Sequence, residues 1–307
     1  EGRLSGSEFF PLAPLPQTDP VTGASGNSLA RARQSGHVPR ILFTQTSTEY
    51  WSRGASLLHT DVEGKTDLDL PEEVRVYFIA GAQHLGASDG TPGICQQPRN
   101  TLDDRGPVLR AMLAALSDWM QTGKAPPPSR HPRLADGTLV GHDTWHAAFP
   151  KIPGCNRPAH HYQRPRLDFG PRFLSDGIAD IIPPQTGQPF RALLPAVNAD
   201  GNETSGIILP EVAVPLGTHT GWNLRAPEFG AETMLSPIDG MFLPFAKTQA
   251  EREKTGDPRP SLEERYPHRE DYLSRLTEAA LKLHGEGFLL QEDVVRIIER
   301  GAKVAFE

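Results

Sequence analysis

Pro39-Arg-Ile-Leu-Phe-Thr-Gln-Thr-Ser-Thr-Glu-Tyr-Trp51 and, further on, Val74-Arg-Val-Tyr-Phe-Ile-Ala-Gly-Ala-Gln-His84 are the stretches on which the fold turns. Ile41 to Thr44 is a short apolar run of β-branched and aromatic character, bounded by Pro39 and a polar loop, which is the signature of a buried strand. Val74 to Ile79 is a second such run. Between them, Glu49 to His59 reads as a helix, with Trp51, Ala55 and Leu58 spaced to share one face. Asp61 to Glu73 is a polar, turn-rich connection. The class expected is α/β, and each strand ends in a loop bearing one residue able to move a proton, Glu49 after the first and His84 after the second. In open α/β sheets, functional groups gather in the loops at the carboxyl ends of parallel strands.

An acid followed by a histidine is the second and third step of the chain order nucleophile, acid, histidine. A serine hydroxyl is a poor nucleophile until an imidazole takes its proton. The imidazole in turn needs a carboxylate to fix its tautomer and stabilise its charged form. Glu49 and His84 are the candidates for those two roles. A general base must be neutral to act, so activity is expected to fall as acid protonates His84.

Outward from this pair, Leu85 to Asp104 is a long loop rich in Gly, Pro, Asn and Gln, of a length typical of binding elements or lids. Gly106 to Thr122 is the clearest helix, with an apolar stripe of Val108, Leu109, Met112, Leu113, Leu116, Trp119 and Met120, and Gly123 as its left-handed cap. Residues 129–260 read as loop-dominated, with short strands expected at Ala192 to Val197, Gly206 to Leu209 and Val212 to Val214. The end is helical. Ser261 and Glu264 fit a capping box, Asp271 to His284 carries Tyr272, Leu276, Ala279, Ala280 and Leu283 on one face, and Gln291 to Ala305 repeats the pattern with Val294, Val295, Ile298 and Ala302. Before Arg40, the chain offers turns at Asp19-Pro20 and Thr22-Gly23 and a short helical hint at Ser28 to Arg33. Three segments follow: 1–128 as core carrying the acid and histidine, 129–260 as a loop-rich segment shaping the pocket, and 261–307 as helices packing on the core.

Composition excludes several classes. The 307 residues are 37% hydrophobic and 22% charged, which describes an ordinary globular chain. Thirty prolines and 29 glycines forecast long ordered loops. A net charge of -7 without a basic stripe argues against nucleic acid as a partner, and no apolar run is long enough to span a membrane. Cys95 and Cys155 lie in Pro/Gly-rich loops, where one disulfide and two free thiols are both open readings. The first residues lack the basic and apolar regions of a signal peptide.

Only 39 residues precede Arg40, too few for several βα units of about 30 residues each. Two strands with scattered helices cannot build a sheet covered on both faces. The chain is therefore expected to be the C-terminal part of a larger folding unit. Ser47 and Ser56 lack the glycine frame of a strand-to-helix nucleophile elbow and read as a turn or cap residue and a helix residue.

Several further motifs stand in order: Asp19-Pro-Val-Thr-Gly, Ser47-Thr-Glu-Tyr-Trp-Ser-Arg-Gly-Ala-Ser-Leu, His59-Thr-Asp, Asp136-Gly-Thr-Leu-Val, Asp200-Gly-Asn-Glu, Pro215-Leu-Gly-Thr-His-Thr-Gly-Trp-Asn-Leu-Arg and Gly256-Asp-Pro-Arg-Pro-Ser-Leu-Glu-Glu-Arg-Tyr. With them, nearly the whole chain resembles the α/β-hydrolase domain-containing proteins of bacteria and fungi, as their C-terminal portion. The resemblance implies the last strands and helices of an α/β-hydrolase fold, with Glu49 as triad acid and His84 as triad base. It places the nucleophilic serine upstream, in an N-terminal companion segment or chain. It further implies a serine hydrolase of ester substrates that needs no metal or organic cofactor. A secreted or periplasmic location goes with it, a cytoplasmic one being the alternative.

Plainer readings stand beside these. A glutamate at a helix start is commonly a cap or dipole partner, and a histidine after a strand is commonly a satisfied loop residue. His142, His146, His160 and His161 invite a zinc reading and a metal-dependent hydrolysis, yet without structural-site spacing they read as surface histidines. Asp200 to Glu203 reads as a turn rather than a calcium loop, and Asn202-Glu-Thr is a formal glycosylation acceptor. Trp51 and Trp222 are candidates for lining a substrate pocket, or for packing beneath it. The competing function is a binding or interaction protein that keeps a hydrolase scaffold without its nucleophile.

Overall fold

The structure is a computed structural model that describes residues 9–102 and 105–304, the side chain of Arg105 excepted. At its centre, Ile41–Thr46 and Val74–Ile79 run parallel in register from Ile41 opposite Val74 to Thr46 opposite Ile79. The crossover between them is the helix Ser47–Arg53 and the 3-10 turn Ala55–Leu58. Val74–Ile79 is almost wholly buried because both its edges are used. Its far edge is bridged in parallel by Arg130 at Tyr77 and by Ile207 at Ile79. Ile41, Leu42 and Phe43 of the partner strand are only half-buried.

Around this pair, the described residues form short antiparallel ladders rather than an extended sheet. Leu139–Val140 pairs with Leu194–Pro195, Pro165–Asp168 with Gln185–Pro189, and Gly217–His219 with Phe242–Pro244. A further small ladder joins Gln17–Thr18 to Ser25–Gly26, and the early helix is Ala30–Gln34. The expected strand at Val212 to Val214 is instead a helical turn, Pro210–Ala213, for which Pro210 is suited because the first helical residue has no use for its N–H. Gly206 to Leu209 contributes a single bridge at Ile207, and Ala192 to Val197 contributes Leu194–Pro195.

The helix Arg105–Thr122 is capped by Gly123 at φ 81°, whose N–H donates to the Trp119 carbonyl. Its buried face is Val108, Ala111, Met112 and Trp119, whereas Leu113 and Met120 of the expected stripe are about two-thirds exposed, at 69% and 68%. In the helix Arg269–Gly285, Tyr272, Leu276, Ala280 and Leu283 are buried as their spacing suggests. In Gln291–Gly301 the buried apolar side chains are Val294 and Ile297, beside the buried Asp293, while Val295 is exposed. Ala305 lies outside the described residues. Ser261 does cap Leu262–Arg265, its N–H and hydroxyl both donating to the Glu264 carboxylate.

One hydrophobic cluster takes Tyr77 and Ile79 from the first expected segment, Ile207 and Leu209 from the second, and Leu276 and Ile297 from the third. The three stretches therefore share one core. Buried ion pairs tie distant segments: both Arg166 Nε and Nη2 bond Asp19, at 2.8 and 2.7 Å, with both side chains almost fully buried. Cys95 and Cys155 are free, and burial pushes each thiol up to about 11.

Candidate active site

Thr46 ends the first strand in extended backbone and caps the helix Ser47–Arg53, whose third residue is Glu49. The Thr46 N–H and hydroxyl both donate to Glu49 Oε2, at 2.6 and 2.5 Å. The other oxygen, Oε1, lies 2.5 Å from Nδ1 of His84. The helix cap and the contact with His84 are thus made by the two oxygens of one carboxylate. Burial would raise the Glu49 pKa, but the bonds from His84 and Thr46 outweigh it and hold the carboxyl below its ordinary range. Glu49 is one-fifth exposed and His84 about half, at 19% and 48%, so the acid sits inward of the base.

His84 is set by the turn that leaves Val74–Ile79. Gly81 takes φ 70° there, a left-handed conformation that favours glycine. Beyond it, the buried Gln83 side chain donates to the carbonyls of Gly86 and Asn100 and accepts from the Gly240 N–H. Asn100, fully buried, donates to the carbonyls of Gly81 and Thr220 and accepts from Leu102 N–H and His219 Nδ1. Burial drives the His219 pKa down to about 3, so its imidazole is neutral and Nδ1 serves as the donor. The His84 N–H donates to the Ile238 carbonyl at 3.2 Å.

The loop Gly217 to Trp222 closes on the other side. At Gly221 a Cβ would lie 2.3 Å from Ser47 Cβ and 2.4 Å from Thr48 N, so only glycine fits. Gly221 N–H donates to Ser47 Oγ and its carbonyl accepts from Thr48 Oγ1. Glu203 lies buried beneath. Its Oε1 accepts from Ser47 Oγ at 2.6 Å and its Oε2 from Gly81 N–H at 2.7 Å. Burial pushes the Glu203 carboxyl up to about 7, although both donors pull the other way.

Glu49 and His84 are therefore brought together, and Trp51 and Trp222 are not brought to them. Trp51 and Trp222 are 1% and 3% exposed and pack in a core cluster with Trp145 and Phe149, mostly edge to face. Of the two expected roles, lining a pocket or packing beneath it, this burial favours packing. His142 stacks on His161 at 7°, and both are hydrogen-bonded to backbone carbonyls, of Pro158 and Ala192. Among the described residues no group of three or more His, Cys, Asp or Glu side chains is arranged to hold a metal ion. Asn202 is buried, its side chain engaged with the Gly217 carbonyl and the His219 N–H, which leaves no room for a glycan.

Sequence reasoning centred on Ser47 and Ser56 misses two features. One is the pair of buried polar anchors, Glu203 and Asn100, whose partners are remote in sequence. The other is a formal Gly-x-Ser-x-Gly string, Gly86-Ala-Ser-Asp-Gly90. It lies in irregular loop, not between a strand and a helix. Ser88 Oγ accepts from the Gly90 N–H, and the next helix of any length begins only at Arg105. An elbow needs the strand-to-helix turn that exposes the hydroxyl, and Ser88 lacks it.

A family model described as an alpha/beta hydrolase domain matches residues 2–299. Neither a search of the curated proteins nor one of the solved structures gave a match. With nearly its whole length matched, the chain belongs to the alpha/beta hydrolase domain family.

Proposed function

We propose that this chain is the acid-and-base part of a serine hydrolase acting on carboxylic esters. The observation that carries the reading is the 2.5 Å bond between Glu49 Oε1 and His84 Nδ1 at the exits of adjacent parallel strands. Thr46 holds the second carboxylate oxygen, so the acid is oriented before any substrate arrives. A carboxylate on Nδ1 fixes the tautomer that leaves Nε2 as the basic nitrogen. In the reaction, His84 Nε2 takes the serine proton during attack on the ester carbonyl and returns it to the leaving alcohol. Glu49 stabilises the imidazolium in between.

The nucleophile, on this reading, comes from a companion segment or chain outside these 307 residues, together with the rest of the sheet. Two observations support that placement. Parallel strands are normally covered on both faces, yet Ile41, Leu42 and Phe43 remain half-exposed, and among the described residues their strand pairs with Val74–Ile79 alone. The formal motif at Ser88 lacks an elbow's geometry.

The test is peptide mapping of the native preparation after a fluorophosphonate probe for reactive serines, with short-chain ester hydrolysis in parallel. Label on an elbow serine of a companion sequence is expected. Glu49→Gln should lower kcat by about 10²–10⁴ with KM little changed, since the wrong tautomer is then favoured. Label on Ser88 would overturn the placement of the nucleophile. Absence of both label and hydrolysis would sink the hydrolase reading and leave a binding scaffold.

A further inference from the structure

We propose that Glu203 is the positioning residue of the Glu49–His84 pair, a single buried carboxyl that fixes the spacing of the two strand exits carrying acid and base. The proposal rests on the functional reading above. Glu203 comes from neither exit. It follows the turn at Asn198 to Asn202, where Asn198 Oδ1 accepts the N–H groups of Asp200 and Asn202, and it bridges back to Val197. That turn is anchored to its surroundings by the Asn202 side chain and by the ion pair of Asp200 with Arg265. The Glu203 carboxyl therefore reaches the site from a rigid base.

Its two oxygens divide between the strands. Oε1 takes the hydroxyl of Ser47, two residues before Glu49, and Oε2 takes the N–H of Gly81, three residues before His84. No other side chain among the described residues bonds to both Ser47 and Gly81. Gly221 steadies Ser47 and Asn100 steadies Gly81, but each holds one exit only. Past the ladder that pairs Thr46 with Ile79, Glu203 adds a second side-chain link between the exits beside the Glu49–His84 bond. The Glu49–His84 bond has to survive while the imidazole gains and loses a proton through a catalytic cycle. Holding the backbone separation by a second, deeper bridge relieves the pair of that load.

The residue's chemistry suits the task in either protonation state. As a carboxylate it accepts from both donors. As a carboxylic acid it still accepts from Gly81 and can donate to Ser47 Oγ, whose hydroxyl then turns away. A glutamine in its place reproduces the second arrangement, with its amide N–H₂ toward Ser47 and its carbonyl toward Gly81. Leucine of similar volume makes neither bond, and aspartate is too short to make both.

The experiment compares wild type, Glu203→Gln, Glu203→Asp and Glu203→Leu in the native preparation, companion chain included. Two readouts are taken: ester kinetics, and the proton NMR signal of His84 Nδ1–H, assigned by its loss in His84→Gln. A displacement of the pair by about 1 Å costs on the order of 10² in rate. Glu203→Leu and Glu203→Asp should therefore lose about 10² in kcat with KM nearly unchanged, and Glu203→Gln should stay within a few-fold of wild type. The Nδ1–H signal, shifted far downfield by its carboxylate partner, should persist in the glutamine variant and weaken or broaden in the other two. Glu203→Asp keeps the comparison decisive if Glu203→Leu does not fold. Retention of both full kcat and the downfield signal in Glu203→Asp would overturn the proposal. If wild type shows no hydrolysis yet the signal responds as expected, the positioning role stands and the ester-hydrolase reading fails instead.

Discussion

Replacing Glu203 by glutamine should change how the stability of the protein depends on pH, by an amount the structure sets. Glu203 is 6% exposed, and burial pushes its carboxyl from an ordinary 4.5 up to about 7. The folded state thus prefers the neutral acid. The stability that follows from this preference is fully present below the unfolded pKa and is lost as pH rises through the folded one. A gap of about 2.5 units at 1.36 kcal/mol each gives roughly 3 kcal/mol lost between about pH 4 and about pH 8. Glutamine makes both hydrogen bonds and does not ionise, so it escapes the loss. Urea unfolding of wild type and Glu203→Gln, run in parallel across that range, cancels the contributions of all other titrating groups. The difference in unfolding free energy should shift by about 3 kcal/mol in favour of glutamine as pH rises. Parallel curves, with a constant difference across the range, would refute the reasoning. They would mean that the two donors, not burial, set the charge of this carboxyl.

Two further outcomes follow from the packing. Gly221→Ala places a methyl 2.3 Å from Ser47 Cβ and 2.4 Å from Thr48 N, so the loop must move off the helix that carries Glu49. It should cost about 3 kcal/mol or more in stability, read by thermal or urea unfolding. A change under about 1 kcal/mol would show that this loop yields freely. Asp19→Ala strips the buried Arg166 guanidinium of its bidentate partner and should cost about 3–5 kcal/mol, far more than loss of an exposed pair. Replacement of both residues by apolar ones should recover much of that cost, and failure to do so would indicate that the pair matters for more than charge balance.

Much of the architecture was legible along the chain because its signals are local. A run such as Val74 to Ile79 is buried on both faces and needs no alternation to be read as a strand. The helices at Arg105–Thr122, Arg269–Gly285 and Gln291–Gly301 announce themselves by spacing and caps. Their exact buried faces were less legible. Leu113, Met120 and Val295 are apolar and periodic yet exposed, because periodicity gives a stripe and only the neighbour packed against it decides how wide that stripe is. The turn at Pro210–Ala213 looked like a strand because Val212 and Val214 alternate, and the proline at its start won.

For the site, the chain order alone pointed to Glu49 and His84, since each follows a recognisable strand and both residue types suit proton transfer. Their sequence separation of 35 is bridged by one crossover, a short and predictable path. The anchors around them were invisible. Glu203 reaches Ser47 over 156 residues and Gly81 over 122, and Asn100 reaches Thr220 over 120. Nothing in a turn such as Asp200-Gly-Asn-Glu tells whether its last carboxylate points to water or into the core. Likewise Trp51 and Trp222 are equally suited by type to a pocket and to packing, and only their edge-to-face contacts with Trp145 and Phe149 favour packing. The sequence by itself determined the parallel strand pair, the residues at its exits and the helices, because hydrophobic period and turn chemistry act between near neighbours. The tertiary structure alone decided which polar groups are desolvated, how Glu49 and His84 are anchored from remote segments, and which aromatic rings are covered. Those outcomes depend on what the rest of the chain brings alongside, and burial is a property of the assembled neighbourhood rather than of any residue within it.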